Sequence, residues 1–120
     1  MGKVTSYKDL VAYQKSYQLV IDVYRISKAF PSEELYGLTN QIRRCSVSIP
    51  SNIAEGYMRG TREYLQFLKI ALGSAAELET QLALCHDLGY VQKDVLEPVM
   101  ALCQEVIKLL KTYISKVGDR

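Results

Sequence analysis

Residues 48–60 read SIPSNIAEGYMRG. A proline, an asparagine and a glutamate sit among small and β-branched residues, with Arg59 and Arg62 close behind. Such a stretch is either a loop that carries an active site or a helix with a proline inside it, and the spacing separates the two. Ile49, Ile53 and Tyr57 recur every four residues, and Ser48, Asn52, Gly56 and Gly60 stack on an adjoining stripe, so the helical period survives Pro50. Proline inside a helix removes one backbone hydrogen bond, crowds the preceding turn and usually kinks it. The stretch therefore predicts one helix from about Glu33 to about Met58, kinked at Pro50.

The 3-4-3-4 spacing of a helix seam extends outward from this segment in both directions. On the second helix it runs through Leu35, Leu38, Ile42, Cys45 and Ile49, with Ser32, Glu33 and Glu34 at its start, where carboxylates suit the helix dipole. An earlier helix has its seam at Leu10, Tyr13, Tyr17, Val20 and Tyr24, capped by Ser6 with Asp9 three residues on and stopped by Phe30-Pro31. A third follows through Tyr64, Leu68, Ala71, Ala75, Leu78, Leu82 and Cys85, entered at Gly60-Thr61 and closed by Gly89 as a left-handed cap. The fourth has Val95, Val99, Leu102, Val106, Leu109 and Tyr113, with Asp94 as N-cap, Glu97 behind it and Pro98 within the tolerated first turn. Nothing alternates with period two for long enough to make a strand. Short connections between long helices imply antiparallel neighbours, so the expected fold is all-α, an up-down-up-down antiparallel four-helix bundle in one domain over residues 1–120.

Two helices carry more apolar surface than one bundle core needs. A second seam on the first helix runs through Ala12, Ser16, Leu19, Val23, Ile26 and Phe30, and one on the fourth through Leu96, Met100, Cys103, Ile107, Leu110, Ile114 and Val117. Either the core stripe is broad or part of this surface packs on another subunit. The balance favours self-association.

Composition narrows the function. No apolar run approaches the length of a membrane span and MGKVTSYKDL lacks a secretory apolar core, so the expected location is cytoplasmic with no membrane partner. Cys45, Cys85 and Cys103 are far apart and lack CxxC spacing, as suits buried thiols in a reducing compartment. The formal charge of +2 is uneven: residues 1–70 hold ten Lys/Arg against six Asp/Glu, and residues 71–120 five against seven. The basic half permits an anionic partner without requiring one.

Catalytic patterns are missing. Gly56, Gly60 and Gly73 precede no Lys-Ser/Thr pair, no GxSxG elbow occurs, and the single histidine, His86, has Ala83 where a di-metal bundle has the Glu of Glu-x-x-His. The expectation is a non-enzyme with no cofactor and no metal. Asn52 and Glu55 on the second helix, with Glu77 and Gln81 on the third, form a polar stripe that reads as a register-setting cluster between the two helices. Arg43, Arg44, Arg59 and Arg62, extended by Lys69, Lys8 and Lys15, form a basic patch, with Tyr36, Tyr57 and Tyr64 as stacking faces for bases. Taken singly, each arginine also fits a solvated charge paired with Glu55 or Glu63.

The run YGLTNQIRRCSVSIPSNIAEGYMRGTREYLQFLKIALGSAAELETQL resembles the four-helix-bundle proteins encoded in intervening sequences of bacterial large-subunit (23S) ribosomal RNA genes. The opening YKDLVAYQKSYQLVIDVYRISKAFP fits too, with Tyr7, Asp9, Leu10, Tyr13, Gln14 and Lys15 on the family's aromatic-x-Asp-Leu-x-x-Trp/Tyr-Gln-Lys start. The resemblance spans about Ser6 to about Tyr113 and places Pro50, Asn52, Glu55, Gly56 and the double arginine Arg43-Arg44 on the family's middle motif. It implies a ring-shaped homopentamer without established catalysis. The chain is also similar to the accessory variability determinant proteins of diversity-generating retroelements, pentameric barrels that bind a reverse transcriptase and nucleic acid. The resulting expectation is an oligomeric protein that binds structured RNA or an RNA-DNA intermediate through a basic surface. The alternatives are an adaptor for a reverse transcriptase and a scaffold with no nucleic-acid role.

Overall fold

In the computed structural model, which describes residues 3–119, helices α1 (Val11–Ser27), α2 (Leu38–Arg59), α3 (Thr61–Asp87) and α4 (Lys93–Gly118) follow one another with no strand among the described residues. Each helix packs on its neighbours in the order α1, α2, α3, α4 and back to α1, while the diagonal pairs stay apart, so the four surround one core. The α2–α3 pair is the most extensive of these contacts. The bundle measures 45 × 27 × 20 Å, and the long dimension matches the roughly 40 Å that α3 spans at about 1.5 Å per residue.

Helix α2 passes through Pro50 as one continuous helix ending at Arg59. The start of the segment differs from expectation. Ser32–Glu34 form a separate 3-10 turn and α2 begins at Leu38, where Glu34 reaches forward so that its Oε2 accepts from the Leu38 backbone N–H at 3.0 Å. Glu34 Oε1 also accepts from the Tyr90 hydroxyl at 3.0 Å, which ties this turn to the loop before α4. Leu35 falls in the turn, outside the core.

One residue, Gly60, joins α2 to α3, with φ 104° and ψ 177°, a conformation that only glycine adopts without strain. The reversal brings the two helices close at once. A Cβ on Gly56 would lie 2.5 Å from Phe67 Cβ and 3.3 Å from Tyr64 Cδ1, so the missing side chain is what lets α3 lie against α2 there. Tyr57 and Tyr64 meet edge-on at 5.9 Å, and Tyr7 bridges Tyr57 (6.5 Å) and Tyr13 (5.0 Å), closing this end with aromatic edges.

Helix α3 buries the expected seam from Leu68 onward: Leu68, Ala71, Ala75, Leu78, Leu82 and Cys85 are all solvent-inaccessible, while Tyr64 at its start is half-buried. Helix α1 does not. Its core face is the other stripe, Ala12, Ser16, Leu19, Val23 and Ser27, with Phe30 beyond, while Tyr17 and Tyr24 are 55% and 41% exposed. The small Ala12 and Ser16 allow close approach at the core, whereas a tyrosine there would need a buried partner for its hydroxyl. On α4 the buried residues Leu96, Val99, Cys103, Val106 and Leu110 draw on both apolar stripes.

Two caps also moved. The Ser6–Asp9 capping box forms, but it closes the 3-10 turn Tyr7–Asp9, and α1 starts only after the extended Leu10. Helix α4 has Gln92, not Asp94, as its N-cap, which leaves the exposed Pro98 in the second turn. Gly89 takes the left-handed conformation (φ 82°) expected of it.

The glycines give a paired test. Replacing Gly56→Ala lowers stability by about 1–3 kcal/mol, since overpacking against Phe67 outweighs the gain in helix propensity. Gly73→Ala, with nothing within 4 Å of its new Cβ, raises stability by up to about 1 kcal/mol. Urea denaturation of the two variants reads both signs.

Candidate nucleic-acid interface

The basic residues divide among three settings. Arg43 and Arg44 are consecutive, so about 100° of helix rotation separates them and each faces a different neighbour. Arg43 is half-buried toward α1, donating from Nε to Ser27 Oγ at 2.8 Å with its guanidinium over the Tyr24 ring at 4.8 Å. Arg44 is exposed on the α3 side. Arg59 is enclosed by charge: it donates to Glu55 Oε2 at 2.8 Å and Glu63 Oε2 at 3.1 Å and lies over the Phe67 ring at 5.0 Å. Its hydrogen bonds to Glu63 and then Glu55 raise its pKa above the usual arginine value.

Arg62 and Lys69 are exposed on α3, two turns apart on one face. Among the described residues no carboxylate forms an ion pair with Arg44, Arg62 or Lys69. Lys15 instead ties α1 to α4 through Glu105 at 2.9 Å, and Lys8 is exposed. Of the tyrosines offered for stacking, Tyr36 is 92% exposed, while Tyr57 and Tyr64 are half-buried in edge contact with each other.

The polar stripe between α2 and α3 holds Asn52, Glu77 and Gln81 with Ser48 from the stripe of Asn52, Ser74 from that of Glu77, and Cys45 from the apolar seam of α2. Asn52 Nδ2 donates to the Ser48 carbonyl at 2.7 Å and to Ser48 Oγ at 2.9 Å. Ser48 Oγ meets Ser74 Oγ across the helix pair at 2.9 Å. One turn up, the Cys45 thiol reaches the Ser74 carbonyl at 3.0 Å and Glu77 Oε1 at 3.3 Å. Gln81 continues the stripe, its Oε1 enclosed without a hydrogen-bond partner. Glu55 stands apart from this group, turned to Arg59. The contributions of Cys45, Ser48 and Ser74 had a signal: Ser48 lies four residues from Asn52, Ser74 three from Glu77, and Cys45 three from Ser48 on the facing stripes.

Together Gln41, Arg44, Cys45, Ser48, Ser74, Glu77 and Gln81 line a shallow groove of about 420 Å³. It offers a cation, a carboxylate, hydroxyls and amides. Burial first, then the hydrogen bond to Glu77, pushes the Cys45 thiol up to about 12, so it stays protonated and poorly nucleophilic. Burial likewise pushes Cys103 up to about 12 and Cys85 to about 11. His86 is exposed beside Asp87, and no group of three or more His, Cys, Asp or Glu positioned to hold a metal occurs among the described residues. No helix among them is long and apolar enough to cross a membrane.

Each thiol holds its proton to higher pH when folded than when unfolded. Its contribution to stability is whole below about pH 9 and is lost as pH rises through 11–12. Alkylation by iodoacetamide at pH 8 is therefore slow in the native protein and fast in urea, as read by mass spectrometry.

The profile of the 23S rRNA-intervening sequence protein family matches residues 8–112. A solved structure of a protein with unknown function from the S23 ribosomal protein family, from Bacteroides thetaiotaomicron, superposes with a TM-score of 0.81. It is 28% identical, over 90% of this chain and 98% of its own. No curated protein matches the sequence.

Proposed function

The chain belongs to the 23S rRNA-intervening sequence protein family, and on that premise we propose that it acts without catalysis, as a homo-oligomer that binds structured RNA through phosphate contacts. The observation that carries this reading is the set Arg44, Arg62 and Lys69: exposed cations on the α2–α3 pair with no protein carboxylate bound to them. Unpaired cations on a rigid helix pair attract polyanions, and their contacts act together because each releases condensed counterions. Arg59 and Arg43 fall outside the contact set. Arg59's charge is already met by two carboxylates, and Arg43 is committed to Ser27 and Tyr24.

The oligomer is supported by a second surface. Tyr17, Ile21 and Tyr24 of α1 and Val47 of α2 are each 39–55% exposed beside a groove of about 400 Å³ that also includes Tyr13 and Pro50. A continuous apolar strip of this kind is unusual on a surface that faces only water. In this reading a second copy covers it, and repetition around a closed ring of five, the number that the resemblance implies, multiplies the cations offered to one RNA.

Two measurements test these parts separately. Protein purified without nuclease retains RNA at low salt, and gel shifts weaken steeply as salt rises. Arg44→Gln, Arg62→Gln and Lys69→Gln each reduce the log-log salt slope by about 1, whereas Arg59→Gln leaves it unchanged. Absence of RNA at low salt sinks the proposal. In light scattering, Ile21→Glu shifts the protein to monomer while its helical circular dichroism persists. An unaltered mass would remove α1 from the interface.

A further inference from the structure

The α2–α3 groove holds opposite charges that leave each other alone. Arg44 and Glu77 both line it, yet they form no ion pair. The floor has a spare donor as well. Ser48 and Ser74 carry two hydroxyl protons, of which one bridges the pair at 2.9 Å, and Ser48 Oγ already accepts from Asn52. Among the described residues the other hydroxyl proton has no acceptor, whichever serine donates within the pair. Glu77 uses Oε1 for the Cys45 thiol and leaves its other oxygen unengaged. The groove thus presents an unpaired guanidinium, a free carboxylate oxygen on Glu77, a spare hydroxyl donor at the Ser48–Ser74 pair, and the amides of Gln41 and Gln81.

A simple anion would not be served by a carboxylate, nor a cation by an arginine. The combination suits a ligand that is anionic at one end and bears a hydroxyl at the other. We propose that the groove seats one ribonucleotide unit, with Arg44 on the phosphate and Glu77 with the Ser48–Ser74 pair on the ribose 2′-hydroxyl. A guanidinium matches phosphate through paired N–H donors. The 2′-hydroxyl donates and accepts together, so it needs an acceptor and a donor side by side, and deoxyribose satisfies neither. The groove's volume of about 420 Å³ is within the range of about 300–1,000 Å³ that small-ligand sites occupy. This assignment rests on the RNA-binding reading and adds to it the means by which RNA is told from DNA.

Fluorescence anisotropy on a hairpin RNA with an unpaired loop, its all-DNA counterpart and a free ribonucleoside monophosphate tests it. The protein prefers the RNA hairpin over the DNA one by about tenfold, the scale of one hydrogen bond to a charged group. Glu77→Gln, which keeps the acceptor for Cys45, removes most of that preference by weakening RNA alone, and Ser74→Ala moves the same way. Arg44→Gln weakens both strands. Circular dichroism and melting midpoints establish that each variant is folded. Saturation by the monophosphate alone supports the groove and identifies a free nucleotide as the source of the unit. Equal affinity for the two hairpins in the unaltered protein, or an undiminished RNA preference in Glu77→Gln, overturns this assignment and leaves the phosphate contacts standing. Failure of all three probes to bind overturns both.

Discussion

The contact between Gly56 and Phe67 governs the rest of the molecule. Because Gly60 reverses the chain in one residue, α2 and α3 have no slack with which to find a comfortable separation. They must touch at once, and only a residue without a side chain at position 56 permits it. From that point the two long helices run side by side, which makes theirs the broadest interface of the bundle. It also brings two polar stripes into register over several turns. Helices α1 and α4 then cover the remaining apolar faces, with the Tyr113 hydroxyl accepting from the Ala12 N–H at 3.3 Å and the Lys15–Glu105 pair linking the two.

The polar stripe gives this interface its specificity. A purely apolar contact tolerates sliding, whereas Ser48 meeting Ser74, and Cys45 meeting both the Ser74 carbonyl and Glu77, fit only one axial alignment. Partial solvation keeps the desolvation cost of these groups low, and it also leaves some of their hydrogen-bonding capacity unused. That residue of capacity lies beside Arg44, on the same hairpin that carries Arg62 and Lys69. Structural register and the proposed recognition of RNA therefore draw on one set of side chains.

How much of this was legible beforehand varied with the residue. On α3 the apolar positions are mostly Leu and Ala, flanked by polar groups, so the periodic seam and the buried seam coincide. On α1, two apolar stripes lie side by side, and the one richer in large residues looked like the core. Tyrosine misleads such a count, because it scores as apolar yet its hydroxyl favours the surface. Of the polar cluster read from the sequence, Asn52 bonds to Ser48, Glu77 to Cys45, and Gln81 lies in the same groove. Glu55 turns instead to Arg59, one turn away on its own helix. Cys45 looked like an ordinary core thiol, and only its neighbours across the interface make it part of a hydrogen-bonded group.

The sequence by itself determined four helical segments, their order, the continuity of the second through Pro50, and the burial of α3's seam, because a period of 3.6 residues is a local property of the chain. Tertiary structure alone decided which stripe of α1 turned inward and where α2 began, the latter with the Glu34 carboxylate reaching forward to the Leu38 N–H. It decided too that Arg59 is neutralised while Arg44 stays unpaired. Burial and charge pairing depend on what stands opposite a side chain, and that is set only when the helices meet.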